Sequence, residues 1–225
     1  MTAENPLSRT PLFASVSEEV LADLSARAVR RKYREGSIVF VQGEVGKRCY
    51  AIISGSVKVS AYNDEGREAV LAVLGAGDVF GELSLFDEAP RSADAAVIEQ
   101  AELLSLDKAA MTRAIADHPD LALNLLRVLS GRLRQANDAL QDAVFFDVSG
   151  RLARRLADLA ASHGRACDEG TLIDVPLSQE SLASMVGSTR ESVNKALASM
   201  SKRGLVARRG RRYVIPDVGL LRSRA

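Results

Sequence analysis

Between residues 36 and 106, short Val- and Ile-rich runs alternate with glycine, and few folds accept that texture. Ser37–Val41, Cys49–Ser54, Ser56–Tyr62, Glu68–Leu74, Ala95–Ile98 and Glu102–Leu106 each read as strands. Gly36, Gly43, Gly46, Gly55, Gly66, Gly75, Gly77 and Gly81 punctuate them, marking turns that need positive φ or close packing. Asn63-Asp64-Glu65-Gly66, between two of the runs, is a hairpin signal. Short strands at this spacing predict an antiparallel barrel or jelly roll.

Helical patterns flank this region. Ser17 can cap a short helical lead-in within residues 12–30, with Glu18 and Glu19 in its first turn. His118-Pro119-Asp120 breaks the chain and opens a long helix over about residues 119–145. Leu126, Leu129, Leu133, Ala136, Leu140 and Ala143 follow a three-to-four spacing, and Leu126, Leu133, Leu140 and Val144 share one stripe. Such a seam can pair with its copy in a second chain or pack on its own domain.

The net charge of +1 conceals two unlike halves. Residues 1–147 carry 16 Lys+Arg against 22 Asp+Glu, whereas residues 148–225 carry 14 against 7. An acidic front and a basic back suggest modules with different partners. Expected boundaries are a β-rich front module over 1–117, the long helix over 118–146 and a basic back module over 147–225. No apolar run is long enough for a membrane span, and MTAENPLSRT does not read as an export signal. Cys49, Cys167, His118 and His163 are too few and too scattered for a metal, haem or iron–sulfur set. A cytoplasmic protein is therefore expected. The chain has no nucleophile–base pair and no nucleotide-hydrolysis motif, so an enzyme is not expected.

Two segments carry chemistry. In Gly81–Ala93 a strand ends at glycine, meets a helix-like run, and returns through Pro90-Arg91-Ser92-Ala93. Backbone N–H groups at such a turn can form an anion nest. Arg91 can pair with a phosphate through its planar fork, Ser92 adds a hydroxyl donor, and Glu82 can accept from sugar hydroxyls. Alternatively, Glu82 and Arg91 simply pair with each other. In the basic half, Arg151, Arg154 and Arg155 decorate a helix ending near Ser162, and residues 163–176 read as a polar loop with a strand at Thr171–Val175. Ser178 then caps a helix over Gln179–Val186, which ends at Gly187. Ser188 or Thr189 caps a second helix running to about Lys202. That is a helix-turn-helix pattern, with Leu182, Ala183, Val186, Val193, Leu197 and Met200 as its core. Arg190, Glu191, Asn194 and Lys195 are expected to face outward, toward the major groove. Gly204–Ile215 reads as a two-stranded wing whose Arg208, Arg209 and Arg211 suit phosphate contacts.

At these residues the chain resembles the cyclic AMP receptor (CRP/FNR) family of bacterial transcription regulators. Gly81, Glu82, Leu83, Ser84, Leu85, Arg91, Ser92 and Ala93 match that family's phosphate-binding cassette. Ser188–Leu197 matches its recognition helix, with Lys195 standing where the best-known members have Arg. The likeness extends from about Pro11 to Ile215. It implies an α+β protein: an N-terminal jelly-roll β-barrel of cyclic-nucleotide-binding type, a long dimerisation helix, and a C-terminal winged helix-turn-helix. It implies that Arg91 and Ser92 hold a cyclic phosphate, that Glu82 holds the ribose 2′-hydroxyl, and that Gly81 and Leu83 shape the pocket. The family's adenine-contacting pair maps onto Ala136 and Asn137, and Ala136 replaces the usual Thr and lacks its hydroxyl. Ser178, Gln179, Ser188, Thr189, Arg190, Glu191, Asn194 and Lys195 are implied at double-stranded DNA. Cyclic AMP is thus the expected allosteric effector, a homodimer on a palindromic operator the expected assembly, and RNA polymerase the expected partner. A constitutive regulator of the same architecture, or one with another effector, is the alternative.

Overall fold

A computed structural model of the chain describes residues 5–13 and 16–223. The first four residues of the segment read for an export signal lie outside them. The chain forms two compact units, Met1–Ala61 with Val73–Arg134, and Tyr62–Ala72 with Gln135–Ala225.

The first unit opens on helix α1 (Glu18–Arg27). Ser17 caps it by accepting from the Val20 N–H, and Glu18 and Glu19 occupy its first turn. Six strands follow among the described residues: β1 (Val29–Tyr33), β2 (Ile38–Phe40), β3 (Arg48–Tyr62), β4 (Glu68–Leu74), β5 (Val79–Phe80) and β6 (Asp94–Asp107). They form an antiparallel roll in the order β1-β6-β3-β4, with β2 on β6 and β5 on β3. The segments expected as separate strands at Cys49–Ser54 and Ser56–Tyr62 are one strand, and so are those at Ala95–Ile98 and Glu102–Leu106. Gly55 does not end β3. At φ +83 it bends the strand where a side chain would stand 2.6 Å from Ala101 Cα, and the register slips across Ile52–Val57.

Short helix α2 (Leu83–Phe86) sits between β5 and β6. Helix α3 (Lys108–Asp117), which the sequence reading lacked, follows β6 and is capped by Asp107, whose Oδ1 accepts from the Ala110 N–H at 2.8 Å. Cys49, Ala51, Leu104 and Leu106 of the sheet bury against Leu21, Leu24, Met111, Ala114, Leu121 and Leu125 of the helices. Helix α4 spans Asp120–Phe145. One face of its first half is anchored to the roll: Asn124 is buried, donating from Nδ2 to the Leu12 carbonyl at 3.1 Å and accepting from Arg127 at 2.6 Å. Its other stripe, Leu126, Leu133, Leu140 and Val144, is 59–69% exposed.

The second unit contains the hairpin tip between β3 and β4. Asn63 closes it, its carbonyl accepting from the Gly66 N–H and its Oδ1 from the Glu65 and Arg67 N–H groups. Asp147 caps helix α5 (Val148–His163), accepting from Gly150 N–H at 2.8 Å. Residues 163–176 are less irregular than expected, because they pair as β7 (Gly164–Cys167) and β8 (Gly170–Ile173). Helices α6 (Gln179–Met185) and α7 (Arg190–Lys202), then β9 (Ala207–Arg209), β10 (Arg212–Ile215) and α8 (Val218–Ser223), complete the unit. Its sheet runs β7-β8-β10-β9. The α5 arginines are fasteners rather than decoration. Arg151 donates to the carbonyls of Val186 and Phe146, both at 2.9 Å. Arg154 lies 4.8 Å above the Phe146 ring and pairs with Asp142 at 2.6 Å, and Arg155 donates to the Leu71 carbonyl at 3.0 Å. Among the described residues, no helix is long and apolar enough to cross a membrane.

Candidate functional site

Arg91 is the centre of the first unit's site. β5 ends at Gly81, which takes φ +73, and the chain turns into α2 before returning through Pro90 into β6. This path brings Gly81, Ser84 and Arg91 together. Arg91 is 6% exposed, and its Nη1 donates to the Gly81 carbonyl at 2.6 Å and to Ser84 Oγ at 2.7 Å. Nη2 donates to the Arg48 carbonyl at 2.6 Å, and the guanidinium lies 4.1 Å from the Phe40 ring centroid. Phe40 in turn packs with Tyr50 and Phe80, whose rings stack 5.2 Å apart. Every acceptor Arg91 bonds is uncharged. Burial pushes its pKa down, the expected response of a cation drawn out of water. An arginine still remains protonated, so the pocket holds a positive charge supported by dipoles and an aromatic face.

Glu82 does not pair with Arg91, which removes the simple pairing considered from sequence. Its carboxylate is 2% exposed and accepts from Arg132 Nη1 at 2.5 Å, while Arg132 Nη2 donates to the Val79 carbonyl. Glu82 Oε2 is buried with no hydrogen-bond partner. Sequence reasoning missed Arg132, Arg48 and Phe40. Arg132 is 50 residues from Glu82, and no local spacing announces such a pair. Leu83 and Ser92 are exposed and Ala93 is buried. Ala136 and Asn137 lie on α4 in the second unit, and both are exposed.

The second unit presents the helix-turn-helix. Ser178 caps α6 through the Ser181 N–H at 2.9 Å, and Thr189 caps α7 through the Ser192 N–H at 3.2 Å. Gly187, at φ +59, makes the turn between them, and the Ser188 N–H reaches back to the Ala183 carbonyl at 3.0 Å. Leu182, Ala183, Val186, Val193, Leu197 and Met200 are all buried. Arg190, Glu191 and Lys195 are exposed on the first turns of α7, and Glu191 pairs with Lys195 at 2.9 Å. Asn194 corrects the expectation of an outward set: it is half-buried, with its Oδ1 enclosed and unpartnered. Ser178 and Thr189 are exposed, and Gln179 and Ser188 half-buried. In the wing, Gly210 at φ +63 turns β9 into β10 and Arg208 donates to its carbonyl at 2.9 Å. Arg209 is paired with Glu169 at 2.9 Å, Arg212 with Asp174 at 3.1 Å, and Arg211 is exposed.

Among the described residues, no group of three or more His, Cys, Asp or Glu is placed to hold a metal. Cys49 is buried and Cys167 partly so, and burial pushes the Cys49 thiol up to about 12.

A roll with a buried, dipole-held cation and a winged helix-turn-helix mark the chain as a DNA-binding regulator. Comparison with known proteins makes the class specific. Residues 30–118 match the cyclic nucleotide-binding domain and residues 150–224 the Crp-like helix-turn-helix domain. The chain is 40% identical, over 97% of its length and 98% of the relative's, to a "CRP-like cAMP-activated global transcriptional regulator" of Mycobacterium tuberculosis. It is 34% identical, over 88% of each chain, to the cyclic AMP receptor protein of Thermus thermophilus. Among solved structures, the c-di-GMP responsive global regulator CLP of Xanthomonas campestris superposes with a TM-score of 0.74 at 28% identity, covering 89% of this chain and all of that one. The chain belongs to the CRP/FNR family of transcription regulators.

Proposed function

We propose that this chain is a homodimeric, sequence-specific DNA-binding regulator governed allosterically by a cyclic nucleotide, cyclic AMP. The observation that carries the reading is Arg91: a buried guanidinium whose hydrogen bonds all end on neutral acceptors attracts an anion. Ser92 adds a hydroxyl at the mouth. Glu82 Oε2, buried and unpartnered, suits a sugar hydroxyl. One phosphate and one ribose in a single ligand answer both groups. Gly81, Leu83, Ser84 and Ala93 line that site, and Ala136 and Asn137 are assigned to the base. The cyclic AMP-activated relative in Mycobacterium tuberculosis supports the choice of effector.

The exposed stripe Leu126, Leu133, Leu140 and Val144 fits a second copy of the helix, giving twofold symmetry and a palindromic operator. Ser178, Gln179, Ser188, Thr189, Arg190, Glu191 and Lys195, with Arg208, Arg209 and Arg211 of the wing, are assigned to DNA, and Asn194 to the edge of that surface. We assign functional divisions at 1–117, 118–146 and 147–225, a cytoplasmic location and RNA polymerase as a further partner.

A second reading keeps the architecture and changes the effector. Ala136 lacks a hydroxyl for the adenine amine, and the structurally similar Xanthomonas campestris regulator is described as c-di-GMP responsive. One experiment separates them: operator binding by fluorescence anisotropy without ligand and with cyclic AMP, cyclic GMP or c-di-GMP, for wild type and Arg91→Ala. Cyclic AMP should tighten wild-type binding and leave the variant unchanged. Equal binding under every condition overturns the allosteric reading.

A further inference from the structure

The loop joining β2 to β3 meets the cassette at Arg91. The Arg91 N–H donates to the Glu44 carbonyl at 2.8 Å, and the Arg91 carbonyl accepts from the Gly43 N–H at 2.9 Å. The loop therefore holds both the N–H and the carbonyl of Arg91. Two of its glycines are glycine for opposite reasons. Gly43 has φ +85 with nothing within 4 Å of a virtual side chain, so conformation requires it. Gly46 lies outside the left-handed region, so its backbone would accept alanine. Space forbids it: a Cβ there would overlap the Ser84 hydroxyl, stand 2.5 Å from Ser84 Cβ and 2.9 Å from Arg91 Cζ.

We propose that Gly46 is a positioning residue of the anion site, size-matched to Ser84, and that the pair sets where the Arg91 guanidinium is held. The Ser84 hydroxyl occupies the room that Gly46 leaves and accepts from Arg91 Nη1. Ser84 is itself buried on α2, so it has little freedom to retreat. A methyl group at position 46 must therefore displace Ser84, Arg91 or the loop, and each displacement moves the guanidinium. The inference rests on Arg91 being the anion-binding group, as proposed above.

The test is a double-mutant cycle in the full-length chain: wild type, Gly46→Ala, Ser84→Gly and the double variant. Cyclic AMP and cyclic GMP binding by calorimetry is read alongside thermal melting. Gly46→Ala should weaken nucleotide binding by about tenfold or more in the wild-type background and by less than about threefold in the Ser84→Gly background, because the second change removes the two closest obstructing atoms and leaves only the 2.9 Å approach to Arg91 Cζ, which the vacated space lets relax. The melting temperature should follow the same pattern. Equal losses in both backgrounds, or a Gly46→Ala protein that binds as wild type, overturn the proposal. If Gly46→Ala does not fold, a folded double variant supports the pairing and an unfolded one overturns it. If wild type binds neither nucleotide, the effector reading fails. The melting temperatures then decide the Gly46–Ser84 pairing separately, and a loss on Gly46→Ala that Ser84→Gly does not reverse overturns it.

Discussion

Arg132 and Glu82, 50 residues apart, meet at 2.5 Å with the carboxylate almost wholly buried and the arginine about one-third exposed. The asymmetry decides what each truncation does. Arg132→Ala leaves a buried carboxylate with no ion-pair partner, only the more distant Arg91 charge, whereas the removed arginine could have reached water. The loss should be about 2 kcal/mol, below the range for fully enclosed pairs because Arg132 is partly solvated. Urea unfolding measures it. Arg132→Ala combined with Glu82→Gln should recover part of the loss, since a neutral amide tolerates burial better.

The exposed stripe on α4 leads to a second expectation. Replacing Leu133 with Glu puts a charge on the seam in both copies of a dimer. The cost should be about 3 kcal/mol, over a hundredfold in the dissociation constant. Sedimentation velocity should show a monomer for Leu133→Glu and, on the proposed reading, a dimer for wild type. A wild-type monomer at tens of micromolar would count against the dimer reading.

Arg151 ties Phe146, just past the end of α4, to Val186 at the end of α6. Arg151→Met keeps the side chain's length and loses both charged hydrogen bonds. Stability of the second unit should fall by about 2–3 kcal/mol. Operator affinity should fall with it, while calorimetric nucleotide binding, carried mainly by Arg91 and Glu82, changes by less than about threefold.

Cys49 has its thiol held near pKa 12 by burial, with the Glu82 charge adding to the effect, against an ordinary value of 9.0. The folded state keeps this proton after the unfolded state would release it. Stability from this group is therefore complete below pH 9 and declines as pH rises from 9 toward 12. At neutral pH, alkylation of Cys49 should track global unfolding, while half-buried Cys167 reacts earlier. Simultaneous modification of the two in native protein would contradict this burial.

Local chemistry made part of the fold legible. Ser17, Ser178 and Thr189 were recognisable as caps because a cap depends on residues three apart, and the Asn63–Gly66 turn for the same reason. The cassette and recognition helix were legible as contiguous motifs. β1 was not: Val29-Arg30-Arg31-Lys32-Tyr33 is an edge strand exposed along almost its whole length, so it has no apolar alternation and its composition mimics a loop. Gly55 suggested a break where a bend occurs, because the close approach of Ala101 is a tertiary fact. Arg132, Arg48 and Phe40 were invisible for the same reason, and Asn194 was assigned outward although its helical position brings its Oδ1 inside.

The wing's ion pairs bear on its response to electrolyte. Arg209 and Arg212 already carry carboxylates from Glu169 and Asp174. A phosphate approaching such an arginine displaces a tethered protein anion, which does not disperse into bulk solution as a mobile salt ion does. The entropy of ion release that normally drives cationic surfaces onto DNA is then drawn from fewer residues than an arginine count would suggest. Electrolyte sensitivity of the wing is therefore set as much by two acidic residues of the β7–β8 region as by its own basic tip.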